Sequence, residues 1–190
     1  MKRKILILIV FQALLLSCSS INHNRYESIN TFLKTKITNN ESIIIIKEKA
    51  DLRNALRIFY GGDKTAEVQE NYRSSLFDQK SYDIMLETYS NDTIKKYWKP
   101  KDFSGFDFIF ENRLGMWNTK FLDKYENKPG LVFSISDPVF YKNKKYVLFH
   151  FSRGSTGDIE GLIHENKTII MQKVKGKWQI VDEVSDYIYH

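Results

Sequence analysis

The sequence predicts an α+β domain, in which N-terminal helices pack on a C-terminal antiparallel meander sheet. Three observations lead to this class. Before residue 100, apolar residues recur at the three- and four-residue spacing of helices. After residue 130, short runs of β-branched and aromatic residues alternate with compact turn signals, which is typical of antiparallel strands. Aromatic residues make up 14% of the chain, which is enough to supply one packed core.

The helices are predicted from the spacing of their apolar residues. We expect four of them, the second closed by Gly61-Gly62 and the last ended by Pro100: Arg25 to Lys36, Leu52 to Phe59, Tyr82 to Tyr89 and Thr93 to Trp98. Between the first two, Ile43 to Ile46 suits a buried strand, because β-branched side chains pack well on a pleated surface. Asp63 to Gln79 has no sustained period and predicts a loop or a weak helix.

The strands of the second half are predicted from alternation and from the turns between them. Six strands are expected: Asp107 to Glu111, Val132 to Ser136, Val139 to Tyr141, Tyr146 to Phe151, Thr168 to Val174 and Lys177 to Glu183. Pro138 favours an edge or a strand start, and Asn143 sits in a lysine-rich turn. Lys175-Gly176 is a two-residue hairpin signal, and Gly154 to Gly161 predicts a flexible connection.

The first residues predict export rather than folding. A basic cluster, Lys2-Arg3-Lys4, precedes an apolar stretch from Ile5 to Leu16, and the small Ser17 is followed at once by Cys18, the only cysteine of the chain. Twelve apolar residues span roughly 18 Å, which is shorter than the ~30 Å hydrocarbon core. Leu15 to Cys18 resembles the lipobox of bacterial lipoproteins. That resemblance implies cleavage before Cys18 and attachment of acyl chains such as palmitate. The alternative is an ordinary signal peptide that leaves a free thiol.

The predicted organisation is therefore a signal peptide (1–17), a lipidated cysteine with a short tether (18–24) and a single domain (25–190). Removing the basic cluster of the leader lowers the formal net charge from +6 to +3, so the basic composition is weak support for nucleic-acid binding, and we expect none. With its cysteine committed to lipid, the domain has no disulfide and depends on packing for its stability.

The C-terminal half carries a second resemblance. Phe133-Ser134-Ile135-Ser136-Asp137-Pro138-Val139-Phe140, followed by Lys145 to Leu148 and by Lys175 to Ile180, resembles uncharacterised envelope lipoproteins of Gram-negative bacteria of the Bacteroidota type. The resemblance covers roughly 50 residues and implies an envelope location without carrying over a catalytic residue. Helices that precede a curved antiparallel sheet are also similar to cone-shaped NTF2-like domains, at the level of fold analogy.

Chemistry is best sought around Arg153-Gly154-Ser155-Thr156-Gly157-Asp158. Glycines on either side of two hydroxyl residues can turn backbone N–H groups towards an anion, and the Arg153 guanidinium could donate two hydrogen bonds to a carboxylate or phosphate. A turn between two strands, without any ligand, explains the same residues. His150 and His164 are weak candidates for meeting across paired strands, and they lack the fixed spacing of metal ligands. We therefore expect no metal and no cofactor.

These observations favour a non-enzymatic binding or interaction module, anchored by lipid and facing the periplasm from the outer membrane. Its partner would be an envelope protein or a small ligand. The alternative is an NTF2-like enzyme or small-ligand carrier, whose aromatic-lined pocket would use Trp98, Phe103, Phe106, Phe108 and Trp117. The cluster Lys142, Lys144 and Lys145 predicts a solvated turn, or contact with anionic head groups if the tether orients it towards the bilayer.

Overall fold

The computed structural model describes residues 26–37, 42–63, 72–92, 94–113, 119–127, 130–156 and 163–186. Within these residues, seven strands form one mostly antiparallel sheet and four α-helices pack against it, which confirms the α+β class. Cys18 and the leader lie outside the described residues, so lipidation stays a prediction. None of the helices in the described ranges is long and apolar enough to cross a bilayer.

The sheet combines an antiparallel meander with a parallel edge. Its strands are β1 (Ile43–Ile46), β2 (Ile109–Glu111), β3 (Leu131–Ile135), β4 (Val139–Tyr141), β5 (Tyr146–Ser155), β6 (Ile163–Val174) and β7 (Lys177–Ser185). The strand order is β2-β1-β3-β5-β6-β7, and β4 also pairs with β5. Because β1 runs parallel to both β2 and β3, the carboxyl ends of these three strands lie at the same end of the sheet.

The helices begin and end where the sequence supplies caps. They are α1 (26–36), α2 (Leu52–Tyr60), α3 (Gln79–Tyr89) and α4 (Thr119–Tyr125), with a 3-10 turn at Pro100–Asp102. The carboxylate of Asp51 accepts a hydrogen bond from the Arg53 N–H at the start of α2. Gly61 ends this helix at a φ of 114°, a left-handed conformation that glycine adopts without steric cost.

Helix α1 covers one face of the sheet. Its apolar residues Ile29, Phe32 and Leu33 are fully buried, as the helical spacing predicted. The Phe32 ring packs edge-on against Phe149 and Phe151 of β5, with centroid distances of 5.4 and 4.9 Å. Burying an apolar side chain of this size stabilises the fold by about 1.5–3 kcal/mol, so this layer contributes much of the core.

The opposite face is covered by the other three helices in two separate clusters. Helices α2 and α3 pack over β4, β5 and β6, where Phe59 and Tyr141 meet edge-on at 5.0 Å. Helix α4 packs over the parallel edge, where Phe121 and Tyr125 cover Ile44. The sheet is thus the middle layer of three.

Strands β3 and β4 follow one another along the same edge of β5, interrupted at residues 136–138. Pro138 has no N–H to donate, and the Ser136 hydroxyl accepts a hydrogen bond from the His150 N–H at 2.9 Å in place of a regular ladder contact. The interruption frees Asp137 from the ladder and turns it towards the end of the sheet.

Two hairpin turns project from that same end. Tyr146, the first residue of β5, pairs with both Tyr141 and Gln172, so the β4–β5 turn and the β6–β7 turn are neighbours. Lys175-Gly176 adopts positive φ angles of 50° and 80°, which confirms the predicted two-residue hairpin.

One predicted helix is wrong. Residues 94–98 are extended rather than helical, and Thr93 lies outside the described residues. The Trp98 N–H donates to the Lys47 carbonyl at 2.8 Å, and the Lys49 N–H donates to the Lys96 carbonyl at 2.9 Å. Pairing with the chain beyond β1 therefore overrides the local helical spacing.

Candidate functional site

A cleft of about 470 Å³ opens at the carboxyl ends of the parallel strands. Its wall is formed by three segments: the chain that leaves β1 and enters α2, the extended segment 94–97, and Arg113 and Asp137, which follow β2 and β3. Ligands of open α/β sheets bind at this position, because the loops that follow parallel strands diverge there. The volume lies within the range of small-molecule sites.

The base of the cleft is an ion pair that is almost closed to solvent. Lys49 Nζ lies 2.6 Å from Asp137 Oδ1, and the two side chains are 9% and 7% exposed. The Tyr26 hydroxyl is 2.8 Å from the same Nζ and donates to Asp137 Oδ1 at 3.3 Å. Lys49 Nζ also lies 4.1 Å from the centroid of the Trp98 ring, within the range of a cation–π contact. These contacts fix both charges in one position.

A more exposed lysine continues the charge network towards solvent. Lys96 Nζ lies 2.5 Å from Asp92 Oδ2 and 3.5 Å from Asp137 Oδ2. The hydrogen bond to Asp92 is the main cause that raises the pKa of Lys96; burial lowers this pKa by less, and the attraction of Asp137 raises it further. Asp137 therefore joins two lysines, one buried and one facing solvent.

The start of α2 forms a second wall of the cleft. Arg53 forms an ion pair with the N-cap residue Asp51, and this hydrogen bond is the main cause of the lowered pKa of the Asp51 carboxyl. Arg113 donates its backbone N–H to Glu48 Oε2 at 2.8 Å and its guanidinium to the Ser134 hydroxyl at 3.2 Å. The Arg53 guanidinium is therefore engaged by Asp51, whereas the Arg113 guanidinium bonds a neutral hydroxyl.

The rim adds exposed apolar surface to this charged interior. Ile94 is 77% exposed and Tyr97 is 52% exposed, and both line the cleft. A fixed pair of opposite charges beside an apolar rim can recognise a ligand that itself carries both signs of charge together with an apolar group.

The loop predicted around Arg153 does not exist in that form. Arg153, Gly154 and Ser155 belong to β5, with an irregularity in the pairing between Arg153 and Gly154. Arg153 donates to Glu165 Oε1 at 3.2 Å, so its guanidinium is engaged in a cross-strand ion pair. Gly157 and Asp158 lie outside the described residues. The prediction failed because β5 continues four residues further than alternation had indicated.

The predicted meeting of His150 and His164 is also wrong. His150 lies opposite Thr168 on β6, so His164 is four strand positions away, roughly 13 Å at 3.3 Å per residue. In the ranges that the structure describes, no three His, Cys, Asp or Glu side chains are close enough together to hold a metal ion.

His150 is instead part of a buried polar chain. Its Nε2 lies 2.6 Å from Asn166 Oδ1, and the Asn166 amide donates to Asp186 Oδ2 at 3.2 Å. Since that donation turns the amide oxygen towards the ring, Nε2 carries the proton, and the buried Nδ1 has no hydrogen-bond partner. Burial is the main cause that lowers the pKa of His150, so the ring is neutral.

The aromatic residues of the alternative prediction pack mainly as core. Trp98 and Phe103 are each 3% exposed, and Trp98 donates its indole N–H to the Ile135 carbonyl at 3.0 Å. Phe106 and Phe108 are partly buried against the same cluster, and Trp117 lies outside the described residues. Trp98 does not line the cleft itself, but its ring contacts Lys49 at the base of the cleft.

Sequence reasoning missed Lys49 and Asp137, the residues at the base of the cleft. They are 88 positions apart, and neither belongs to a motif that indicates chemistry. The available signal was Asp137-Pro138 within a strand pattern, which marks a break where a polar side chain can leave the ladder.

Comparison of the chain with models of known protein families, with curated proteins and with solved structures found no match. The resemblances inferred from the sequence, to the lipobox, to Bacteroidota-type envelope lipoproteins and to NTF2-like cones, therefore stay predictions.

Proposed function

We propose that this protein is a lipid-anchored binding module of the bacterial envelope, and that the cleft at the carboxyl ends of β1, β2 and β3 is its ligand site. The anchor is the predicted acylated Cys18, and the proposed location is the periplasmic side of the outer membrane. The observation that carries the proposal is the fixed Lys49–Asp137 pair at the base of an open, partly apolar cleft.

The ligand class follows from the chemistry of the cleft. Arg113 suits a carboxylate, because its guanidinium bonds a neutral hydroxyl and can donate two parallel hydrogen bonds to a ligand. The carboxylates of Asp92 and Asp137 suit an ammonium group, and Ile94 and Tyr97 suit an apolar side chain. A small amphoteric molecule, such as an amino acid or a short peptide, carries all three features.

Binding can be tested by thermal unfolding against a panel of amino acids and dipeptides, with neutral sugars and nucleotides as comparison. A ligand at about 100 times its Kd stabilises the folded state by about 2.7 kcal/mol, which corresponds to a rise in Tm of roughly 5–10 °C for a chain of this size. Ile94→Ser should remove most of that rise.

Ile84→Ser is the matched control, because Ile84 is 58% exposed but does not line the cleft. Equal loss of the ligand-induced shift in both variants, or no shift with any amphoteric compound, would count against the cleft as the ligand site. Turnover of a ligand by the wild-type protein would favour the enzymatic alternative instead.

The anchor is tested separately, by mass spectrometry and detergent partition. The mature protein should begin at an acylated Cys18 and enter the detergent phase, whereas Cys18→Ser should do neither. If Cys18→Ser partitions as the unchanged protein does, the anchor is elsewhere.

A further inference from the structure

A group of lysines lies at the same end of the sheet as the cleft. Lys144 and Lys145 are in the β4–β5 turn, and Lys175 and Lys177 flank the tip of the β6–β7 hairpin; all four are exposed. Because β4, β5 and β6 are paired at Tyr141, Tyr146 and Gln172, the two turns lie side by side. We name these four lysines the basic end.

The charge of the basic end is not offset by its own strands. The segments 138–157 and 166–181 contain no aspartate or glutamate. Glu27 of α1 reaches this end, where its carboxylate meets Lys173 Nζ at 3.0 Å. Glu27 pairs with Lys173, and Asp78 lies near Lys142, so these two carboxylates are balanced by lysines outside the basic end. The four lysines therefore produce a local positive field although the mature chain carries only +3.

The backbone holds two of these four lysines in an unfavourable conformation. Lys144 and Lys175 have φ angles of 65° and 50°, in the left-handed region where glycine and asparagine are preferred. Lysine at such a position costs stability relative to asparagine. Its presence at both turns points to a use for the charge itself.

The chain enters the domain at this end. The Tyr26 hydroxyl contacts Lys49 and Asp137 at the base of the cleft, and Glu27 also accepts a hydrogen bond from the Trp178 indole at 3.2 Å. Tyr26 is eight positions after Cys18, and eight fully extended residue steps reach about 26 Å. An acyl chain on Cys18 thus keeps the start of α1, and with it the basic end, close to the bilayer.

We propose that the basic end docks on an anionic bilayer, where its lysines contact the phosphates of lipid head groups. This rests on the proposed anchor for orientation, but the docking surface belongs to the folded domain. Because the cleft lies towards the same end of the sheet, this docking would place its rim at Ile94 and Tyr97 on the side of the head-group layer.

The test uses the chain from residue 18 onward with Cys18→Ser, which contains every residue that the structure describes and carries no lipid. Binding is measured by sedimentation with vesicles of phosphatidylglycerol and phosphatidylcholine in equal parts, and with pure phosphatidylcholine. We expect binding to the anionic vesicles at low salt, loss of binding at high salt, and none to the neutral vesicles.

The lysines are then replaced where asparagine fits the backbone. Lys144→Asn with Lys175→Asn should weaken binding to anionic vesicles roughly 25-fold, since each lysine near a charged membrane surface contributes about 1 kcal/mol, or about fivefold. The same variant should keep or raise Tm, because asparagine relieves the left-handed backbone. Lys34→Gln is the control: Lys34 is exposed on α1, near Lys36, whose Nζ meets Glu165 at the opposite end of the sheet.

Unchanged vesicle binding by the double variant, equal loss with Lys34→Gln, or no binding of the parent protein at low salt would overturn the proposal. Binding to double-stranded DNA without binding to anionic vesicles would overturn it too, and would assign the lysines to nucleic acid. Each of these results leaves the acylation of Cys18 and ligand binding in the cleft to their own assays.

Discussion

Replacing Lys49 by methionine is the sharpest test of how the cleft is built. Methionine keeps most of the apolar stem but removes the charge, so Asp137 is left 7% exposed without its closest cation. Breaking a buried ion pair by removing one partner costs about 3–5 kcal/mol. Lys96 at 3.5 Å and the Tyr26 hydroxyl at 3.3 Å still contact the Asp137 carboxylate. We therefore expect a loss near the lower limit, about 3 kcal/mol.

The free energy of unfolding is measured by urea denaturation, and Lys96→Met is the matched control. Lys96 also lies within 4 Å of Asp137, but its side chain is 39% exposed, so its removal should cost no more than about 1 kcal/mol. Adding Asp137→Asn to Lys49→Met should lower the free energy of unfolding no further, because the second substitution removes the unpaired carboxylate charge. If Lys49→Met lowers the free energy of unfolding no more than Lys96→Met does, the Lys49–Asp137 pair is not the buried ion pair described at the base of the cleft.

Three further predictions concern the framework around the cleft. Because burial lowers the pKa of His150, the unfolded chain binds a proton at this residue before the folded chain does as pH falls below about 6.5. This group should therefore lower the free energy of unfolding by at most ~1.4 kcal/mol per pH unit. Urea denaturation at several pH values should show that His150→Gln removes this contribution to the pH dependence. Burial raises the pKa of Tyr141 to about 12, so the absorbance of its phenolate should appear only near that pH. Tyr141→Phe should lower the free energy of unfolding by about 1–2 kcal/mol, because it leaves the Asp78 backbone N–H without its acceptor. Gly130→Ala places a Cβ 2.8 Å from the Ser42 carbonyl and should lower the unfolding free energy by about 2 kcal/mol; an unchanged Tm would contradict this close approach.

Local signals predicted most of the elements because they act within a few residues. The terminal glycines of α2, the four isoleucines of β1 and the Lys175-Gly176 turn each determine the conformation of their own segment. The failures came where distant pairing decides. Residues 94–98 are extended because Lys47 and Lys49 supply hydrogen-bond partners, and no periodicity records that.

The same limit applies to the cleft. The parallel pairing of β1 with β2 and β3 brings together strands about 65 and 88 residues apart, and it is this pairing that collects Lys49, Arg113 and Asp137 at one end. A single sequence without a motif carries no record of such pairing. The candidates chosen from local patterns, His150 and Arg153, proved to have partners within the sheet, because a polar residue in a strand is commonly paired with a residue of the neighbouring strand.

If the basic end docks on a bilayer as proposed, the parallel edge links ligand access to the membrane. Strands β1 and β3 run towards the end of the sheet at which β5 begins, and β4 continues from β3 to that end. The cleft, the basic end and the start of α1 therefore lie towards the same end of the domain. Since Cys18 is the only cysteine, Cys18→Ser allows a single label at a chosen site. An environment-sensitive dye on Ile94→Cys, a position that is 77% exposed, should shift to the blue on anionic vesicles, whereas the dye on Lys34→Cys should not. The reverse pattern would mean that the cleft faces away from the bilayer, and that a ligand reaches it from the aqueous side.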